Sequence, residues 1–202
     1  MGRNSDAKEK LLQVGFDLIW NQSYGAVSVD QICAQAGVNK GSFYHYFPSK
    51  ADLVVAAYEE DWREKQPELD RIFSPQAPPL ERIGRWCDYV QRRQKIRAEK
   101  HGHVCGCPYG SLGAELATQD EKIRAKIQEL VERNLRYLTS TIADAQREGL
   151  LVGVDPRSLA TWIYSTTLGF TLHAKIRNNL AVLRELRPAV LSLMGAPAAT
   201  LG

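Results

Sequence analysis

The sequence predicts an all-α protein in which an N-terminal three-helix helix-turn-helix domain is followed by a larger helical domain. Three observations carry that expectation. Apolar residues recur at spacings of three and four along most of the 202 residues, whereas strand signals are scarce. Two short helical segments meet at Ala36-Gly37-Val38, behind a longer amphipathic one. Prolines at 67, 75, 78 and 79 cluster and separate this first part from the rest.

Leu12, Phe16 and Ile19 mark one face of a helix over residues 6–21, and Tyr24-Gly25 close it. Ser28 precedes Gln31 by the interval of a capping box, and Val29, Ile32, Cys33 and Ala36 then repeat at helical intervals. Gly37 ends that helix. Asn39 is placed to cap the next one, in which Phe43 and Phe47 lie one turn apart before Pro48. Ser49 and Asp52 form a second capping pair and open a longer helix toward Gln66, after which residues 67–79 read as a broken linker. Further helices are expected at about 80–99, 108–118, 120–148, 156–176 and 179–194, with Pro188 kinking the last. The expected organisation is therefore 1–50 as the helix-turn-helix domain, 51–79 as connecting helix and linker, and 80–202 as the second helical domain.

With 44% hydrophobic and 24% charged residues the composition is that of a globular protein. No apolar run approaches the roughly 18 residues of a membrane span. The polar start MGRNSDAKEK has no apolar core of a secretory signal behind it, so a cytoplasmic protein is expected. Cysteines 33, 87, 105 and 107 show no framework and are expected as thiols. Net charge is +3, and residues 1–50 hold five basic side chains (Arg3, Lys8, Lys10, Lys40, Lys50) against four acidic ones (Asp6, Glu9, Asp17, Asp30). Any binding to nucleic acid must rest on a local face rather than on bulk charge.

The segment KGSFYHYF supplies such a face. Lys40, Ser42, Tyr44 and His45 fall on one side of a short helix, and Phe43 and Phe47 turn to the other. A helix this narrow fits the major groove, where Lys40 donates to guanine or phosphate and His45 reaches a base edge or phosphate. Gly41 lets the backbone come close. Tyr44 and Tyr46 carry hydroxyls for phosphate oxygens, and Lys50 in the next helix is a further candidate phosphate contact, with Arg3 and Lys8 as N-terminal additions. The competing reading is an ordinary amphipathic helix whose aromatics fill a core.

The stretch VSVDQICAQAGVNKGSFYHYFPSKADLV, residues 27–54, resembles the DNA-binding region of TetR-family transcriptional regulators. The family pattern GVxxGxFYxxFxxKxxL is matched in register by Gly37, Val38, Gly41, Phe43, Tyr44, Phe47, Lys50 and Leu53. The resemblance implies a repressor that binds a palindromic double-stranded DNA operator as a homodimer. It also implies a C-terminal ligand-binding and dimerisation domain, whose small-molecule inducer releases the protein from DNA. By position it carries DNA contact onto Ser28, Lys40, Gly41, Ser42, Tyr44, His45, Tyr46 and Lys50. Asp30 departs from this picture, since an acid early in the second helix lies near phosphates.

In the second domain, Leu183, Leu186, Val190 and Leu193 form one apolar seam, and Leu159, Ile163, Thr166 and Phe170 another. Each suits either the monomer's own core or a helix of a second subunit, and the resemblance favours the second. Trp86, Tyr89, Cys107, Tyr109, Tyr137, Trp162, Phe170 and His173 are the candidate lining of a ligand pocket, being apolar surfaces with a few polar tips.

The segment HGHVCGCPYG, residues 101–110, admits three readings. Zinc needs four converging ligands, yet His101, His103, Cys105 and Cys107 alternate along the chain, so no metal is expected. A sensing thiol is the second. Pro108 suits a first helical position, which places the helix N-terminus beside Cys107 and favours its thiolate. A structural turn is the third. Cys107, a histidine and Glu115 could be cast as a nucleophilic set, but no phosphate loop, G-x-S-x-G elbow or paired zinc motif accompanies them. Neither an enzyme nor a cofactor is expected.

Overall fold

A computed structural model describes residues 2–195, with side chains described from Asp6 onward. The chain forms α1 (Gly2–Asn21), α2 (Val29–Ala36), α3 (Lys40–Tyr46), α4 (Lys50–Ile72), α5 (Pro79–His101), α6 (Pro108–Leu116), α7 (Glu121–Arg147), α8 (Pro156–Ile176), a 3-10 turn (Leu180–Glu185) and α9 (Leu186–Leu193). No strand occurs among the described residues. Two compact units result, one of Met1–Gln66 with Pro108–Leu130, the other of Pro67–Cys107 with Val131–Gly202.

In the first unit the caps form as the sequence predicts. Ser28 Oγ accepts from the Gln31 amide at 3.1 Å, and Asn39 Oδ1 from the Ser42 amide at 2.7 Å. Gly37 joins α2 to α3 at φ 64°, a left-handed turn that a β-carbon would strain. Leu11, Ile32, Phe43, Leu53 and Tyr58 are fully buried, each contributing about 1.5–3 kcal/mol of transfer free energy. Gly15 allows this packing, because a β-carbon there would lie 2.7 Å from Leu53 Cδ2.

The second unit packs α5, α8 and α9 together, with the 3-10 turn against them. Its core includes Ile83, Trp86, Leu138, Ile142, Leu159, Ile163, Leu186 and Val190. Buried Arg82 on α5 reaches Asp144 on α7 at 2.6 Å. The arginines Arg82 and Arg147 hold the Asp144 carboxyl below its ordinary range against the opposing effect of burial.

Three local expectations give way to tertiary packing. Helix α4 runs through Pro67 to Ile72, because burial of Leu69 and Ile72 outweighs the amide hydrogen bond that proline lacks. The break is thus confined to the segment between α4 and α5. Pro188 sits in the first turn of α9, where its missing N–H forgoes no intrahelical bond. Finally, Leu183, Leu186 and Val190 are buried in the unit's own core, as are Leu159 and Ile163. Helix α8 carries a second apolar stripe on its outer side, Trp162, Leu172 and Ile176, which are 53, 56 and 73% exposed.

Candidate nucleic-acid interface

Helix α3 presents Lys40, Gly41, Tyr44 and His45 to solvent, with Ser42 and Tyr46 half-buried beside them and Phe43 wholly inside. The buried ring anchors the helix so that its polar side faces out. Tyr44 packs edge-on against Phe43 at 5.2 Å, leaving its hydroxyl end outward, and His45 lies edge-on to Tyr46 at 5.1 Å. Ser28 is exposed at the start of α2 with its oxygen engaged in the cap. Asp30 pairs with Lys40 at 2.7 Å, and that hydrogen bond raises the lysine's pKa. Both groups are largely solvated, so the pair opens readily to a competing phosphate. Lys8 is exposed on α1, and the Arg3 side chain lies outside the described residues.

Lys50 is placed differently from the other candidates. Its ammonium donates to the carbonyls of Tyr24 (2.9 Å) and Val27 (2.8 Å) and stands 3.8 Å from the Tyr24 ring centroid. Burial lowers its pKa, with Glu115 opposing the shift. The lysine therefore anchors the α1–α2 turn from inside rather than reaching outward. Glu115 on α6 holds the same turn by its donors, accepting from the Tyr24 amide at 3.0 Å and the Gly25 amide at 2.6 Å. The turn includes Ser23 at φ 153°, a backbone region that persists only where its surroundings fix it. Sequence reasoning missed this role of Glu115, because its partners lie 90 and 91 residues away and no local signal marks them.

Further polar ties knit α4 to α6 and to the start of α7. Lys122 meets Asp52 at 2.5 Å and Lys126 meets Glu59 at 3.0 Å. Lys65, buried, is bonded to the Tyr109 hydroxyl, lies 3.4 Å from Asp61 and stands 4.2 Å from the Tyr109 ring centroid. Tyr109 thus belongs to a buried ionic cluster of the first unit.

The other pocket candidates lie in the second unit. Trp86 and Tyr89 are buried along α5. Tyr137 stacks on Phe73 at 5.0 Å and is bonded to Asp70; burial and that carboxylate raise its pKa. Phe170 packs against Val104, Ala174 and Leu183. Trp162 and His173 face outward from α8. Cys107 is half-buried, whereas Cys33, Cys87 and Cys105 are buried, the Cys87 thiol being pushed up to about 12 chiefly by burial.

The strip between α5 and α6 is pinned by neutral amides. The Gln94 side chain accepts from the Gly106 amide at 3.0 Å and donates to its carbonyl at 2.9 Å, and the Val104 amide donates to Asn178 Oδ1 at 2.8 Å. Among the described residues no three histidine, cysteine or acidic side chains converge as metal ligands.

Residues 11–57 match the family model of bacterial regulatory proteins of the tetR family, and residues 79–190 match the tetracyclin repressor-like C-terminal domain. The chain belongs to the TetR family. AcuR, a transcriptional regulator of Cereibacter sphaeroides, is 32% identical over 184 residues, 90% of this chain and 78% of AcuR. NemR, a transcriptional repressor of Escherichia coli K12, is 26% identical over 195 residues, 96% of each chain. The crystal structure of NemR in its reduced form superposes with a TM-score of 0.82, covering 96% of this chain and 99% of NemR. A regulatory protein TetR from Rhodobacter sphaeroides gives 0.79 at 30% identity, covering 91% of this chain and 96% of that one. This TetR-family member is a transcriptional regulator of all-α fold, and no described helix is long and apolar enough to cross a membrane.

Proposed function

We propose that the protein is a cytoplasmic, ligand-responsive repressor that binds a palindromic operator as a homodimer and leaves it when a small-molecule inducer binds. One observation carries the DNA assignment: exposed Lys40, Gly41, Tyr44 and His45, with half-buried Ser42 among them, stand on a helix fixed from behind by buried Phe43 and Phe47. That row suits the major groove, with Ser28 and Tyr46 at its margins on phosphate. Lys50 acts on DNA through the turn that it holds. The outer stripe of α8, with Leu193 of α9 also exposed, supports dimerisation, since a monomer gains nothing by exposing it. Two-fold symmetry then sets two α3 helices on half-sites about one turn of DNA apart or somewhat more.

A second reading, a repressor that responds through the Cys107 thiol, is favoured by the partial exposure of Cys107 where the other cysteines are buried. It also agrees with the likeness to NemR, crystallised in a reduced form. The experiment for the DNA assignment uses the DNA flanking the gene in gel shifts across a salt series. Lys40→Ala and Tyr44→Phe weaken binding while the circular dichroism melt is unchanged, and Lys40→Ala flattens the salt dependence by about one unit of slope. Unaltered affinity in both folded variants defeats the assignment of α3.

A further inference from the structure

The strip between α5 and α6 runs antiparallel along one face of α8. Val104 packs with Ala174 while its amide donates to Asn178. Two residues on, a β-carbon built on Gly106 would stand 3.0 Å from Lys175 Cδ and 3.6 Å from the Thr171 carbonyl oxygen. The next residue is Cys107, and the direction of the strip carries it toward the preceding turns of α8, where Thr167 and Tyr164 continue the same face. Burial raises the Tyr164 pKa, and negative charge on Cys107 adds to the rise.

Tyr164 is 8% exposed, and its hydroxyl is buried with no hydrogen-bond partner among the described residues. Its neighbours on that face differ, since Thr167 and Thr171 donate to carbonyls of α8 itself. Gln94 fixes Gly106 at both its amide and its carbonyl, so the strip is positioned before anything binds. The fixed strip thus leads the half-buried thiol onto the face of α8 that bears the unpartnered phenol.

We propose that Tyr164 and Cys107 form the effector site, the Tyr164 hydroxyl donating to the carbonyl oxygen of a small neutral compound whose carbon skeleton rests against the Cys107 sulfur. Burial keeps the phenol protonated, and therefore a donor, across the physiological range. A single neutral donor beside a polarisable sulfur suits an amide, ester, aldehyde or ketone; a buried anion would demand a paired charge or several donors. The proposal rests on the reading of the chain as an effector-responsive regulator and names the contact that the effector makes.

Alkylation of Cys107 tests it in the full-length protein without DNA. With iodoacetamide or iodoethane the thiolate sulfur displaces iodide: a C–S bond forms as the C–I bond breaks, and iodide leaves with the electron pair. Only iodoacetamide offers Tyr164 a carbonyl. Rates at Cys107, read by peptide mass spectrometry and divided by those of N-acetylcysteine, are expected to favour iodoacetamide. Tyr164→Phe should lower the iodoacetamide rate about tenfold, the scale of one lost hydrogen bond, and leave iodoethane within about twofold. Parallel changes in both rates, or no change in either as for a phenol satisfied by water, overturn the site. Should Tyr164→Phe fail to fold, propionamide added to the wild type must slow iodoethane alkylation at Cys107, and absence of protection is equally decisive against it. A protein that binds its DNA yet lacks this selectivity sinks the effector site alone, whereas one that shows it yet binds no DNA sinks the regulator reading.

Discussion

Two irregular segments of this protein, the α1–α2 turn at Tyr24–Val27 and the strip at His103–Cys107, are each held by side chains distant in sequence, but with opposite chemistry. The turn is gripped by ions, Lys50 on its carbonyls and Glu115 on its amides. The strip is gripped by the neutral amides of Gln94 and Asn178. Charge-assisted bonds are about twice as strong as neutral ones but leave a charge behind when one partner is removed. Amide bonds are indifferent to pH and salt. The segment next to the helices proposed to face DNA is therefore the one whose anchorage is sensitive to charge, and the segment next to the candidate effector residues is the one whose anchorage is not.

The largest expected effect comes from cutting one grip in each segment. Glu115→Ala leaves two backbone donors of the turn unpaired and the Lys50 ammonium without its nearby carboxylate; a loss of about 2–4 kcal/mol in urea unfolding is expected, with DNA affinity down about tenfold or more. Gln94→Ala also frees a donor and an acceptor, but neutral ones, and should cost about 1–3 kcal/mol without altering the salt dependence of DNA binding. Equal losses in the two variants, or an unchanged DNA affinity in Glu115→Ala, would contradict the contrast between ionic and neutral anchorage.

A second effect separates the segments by pH. Burial holds the Lys50 pKa below 10.5 in the folded protein, so between that lowered value and 10.5 the unfolded chain binds more protons and stability rises with pH. Below the lowered value the cost of burying the charge is present in full. The wild type should therefore gain stability relative to Lys50→Met as pH climbs toward about 10, whereas its margin over Gln94→Ala stays level. Urea titrations at a series of alkaline pH values read the slope, and an opposite slope would mean that the ammonium is not desolvated in solution.

These two grips also mark the limit of what the sequence discloses. Ser28, Gly37, Asn39 and Phe43 act on neighbours within a few residues, so the caps, the left-handed turn and the inward ring of the helix-turn-helix are legible in the order of residues alone. The partners of Glu115 are fixed only when α6 packs on α1, and nothing near Glu115 announces it. Helix α8 shows a different limit. Its sequence carries two apolar stripes, and periodicity cannot say which faces inward; packing buries Leu159 and Ile163 and leaves Trp162, Leu172 and Ile176 outside. Pro67 illustrates a third, since a local breaking signal loses to the burial of Leu69 and Ile72 beyond it.

The smallest expected effect concerns the Lys40–Asp30 ion pair on the proposed DNA-binding surface itself. Lys40 and Asp30 are 2.7 Å apart and both largely exposed, so removing Asp30 should leave the unfolding midpoint in place. Its consequence lies in binding. A phosphate approaching Lys40 must displace the Asp30 carboxylate and then remain beside it, like charge against like. Asp30→Asn removes both penalties and should tighten DNA binding about threefold at low salt, an advantage that fades as the screening length falls from about 10 Å at 0.1 M to about 3 Å at 1 M. Fluorescence anisotropy of labelled flanking DNA at several salt concentrations measures it. Weaker binding by Asp30→Asn would mean that the carboxylate serves to orient Lys40 rather than to restrain it, and the charge-sensitive character of this surface would then reside in the turn behind α3 alone.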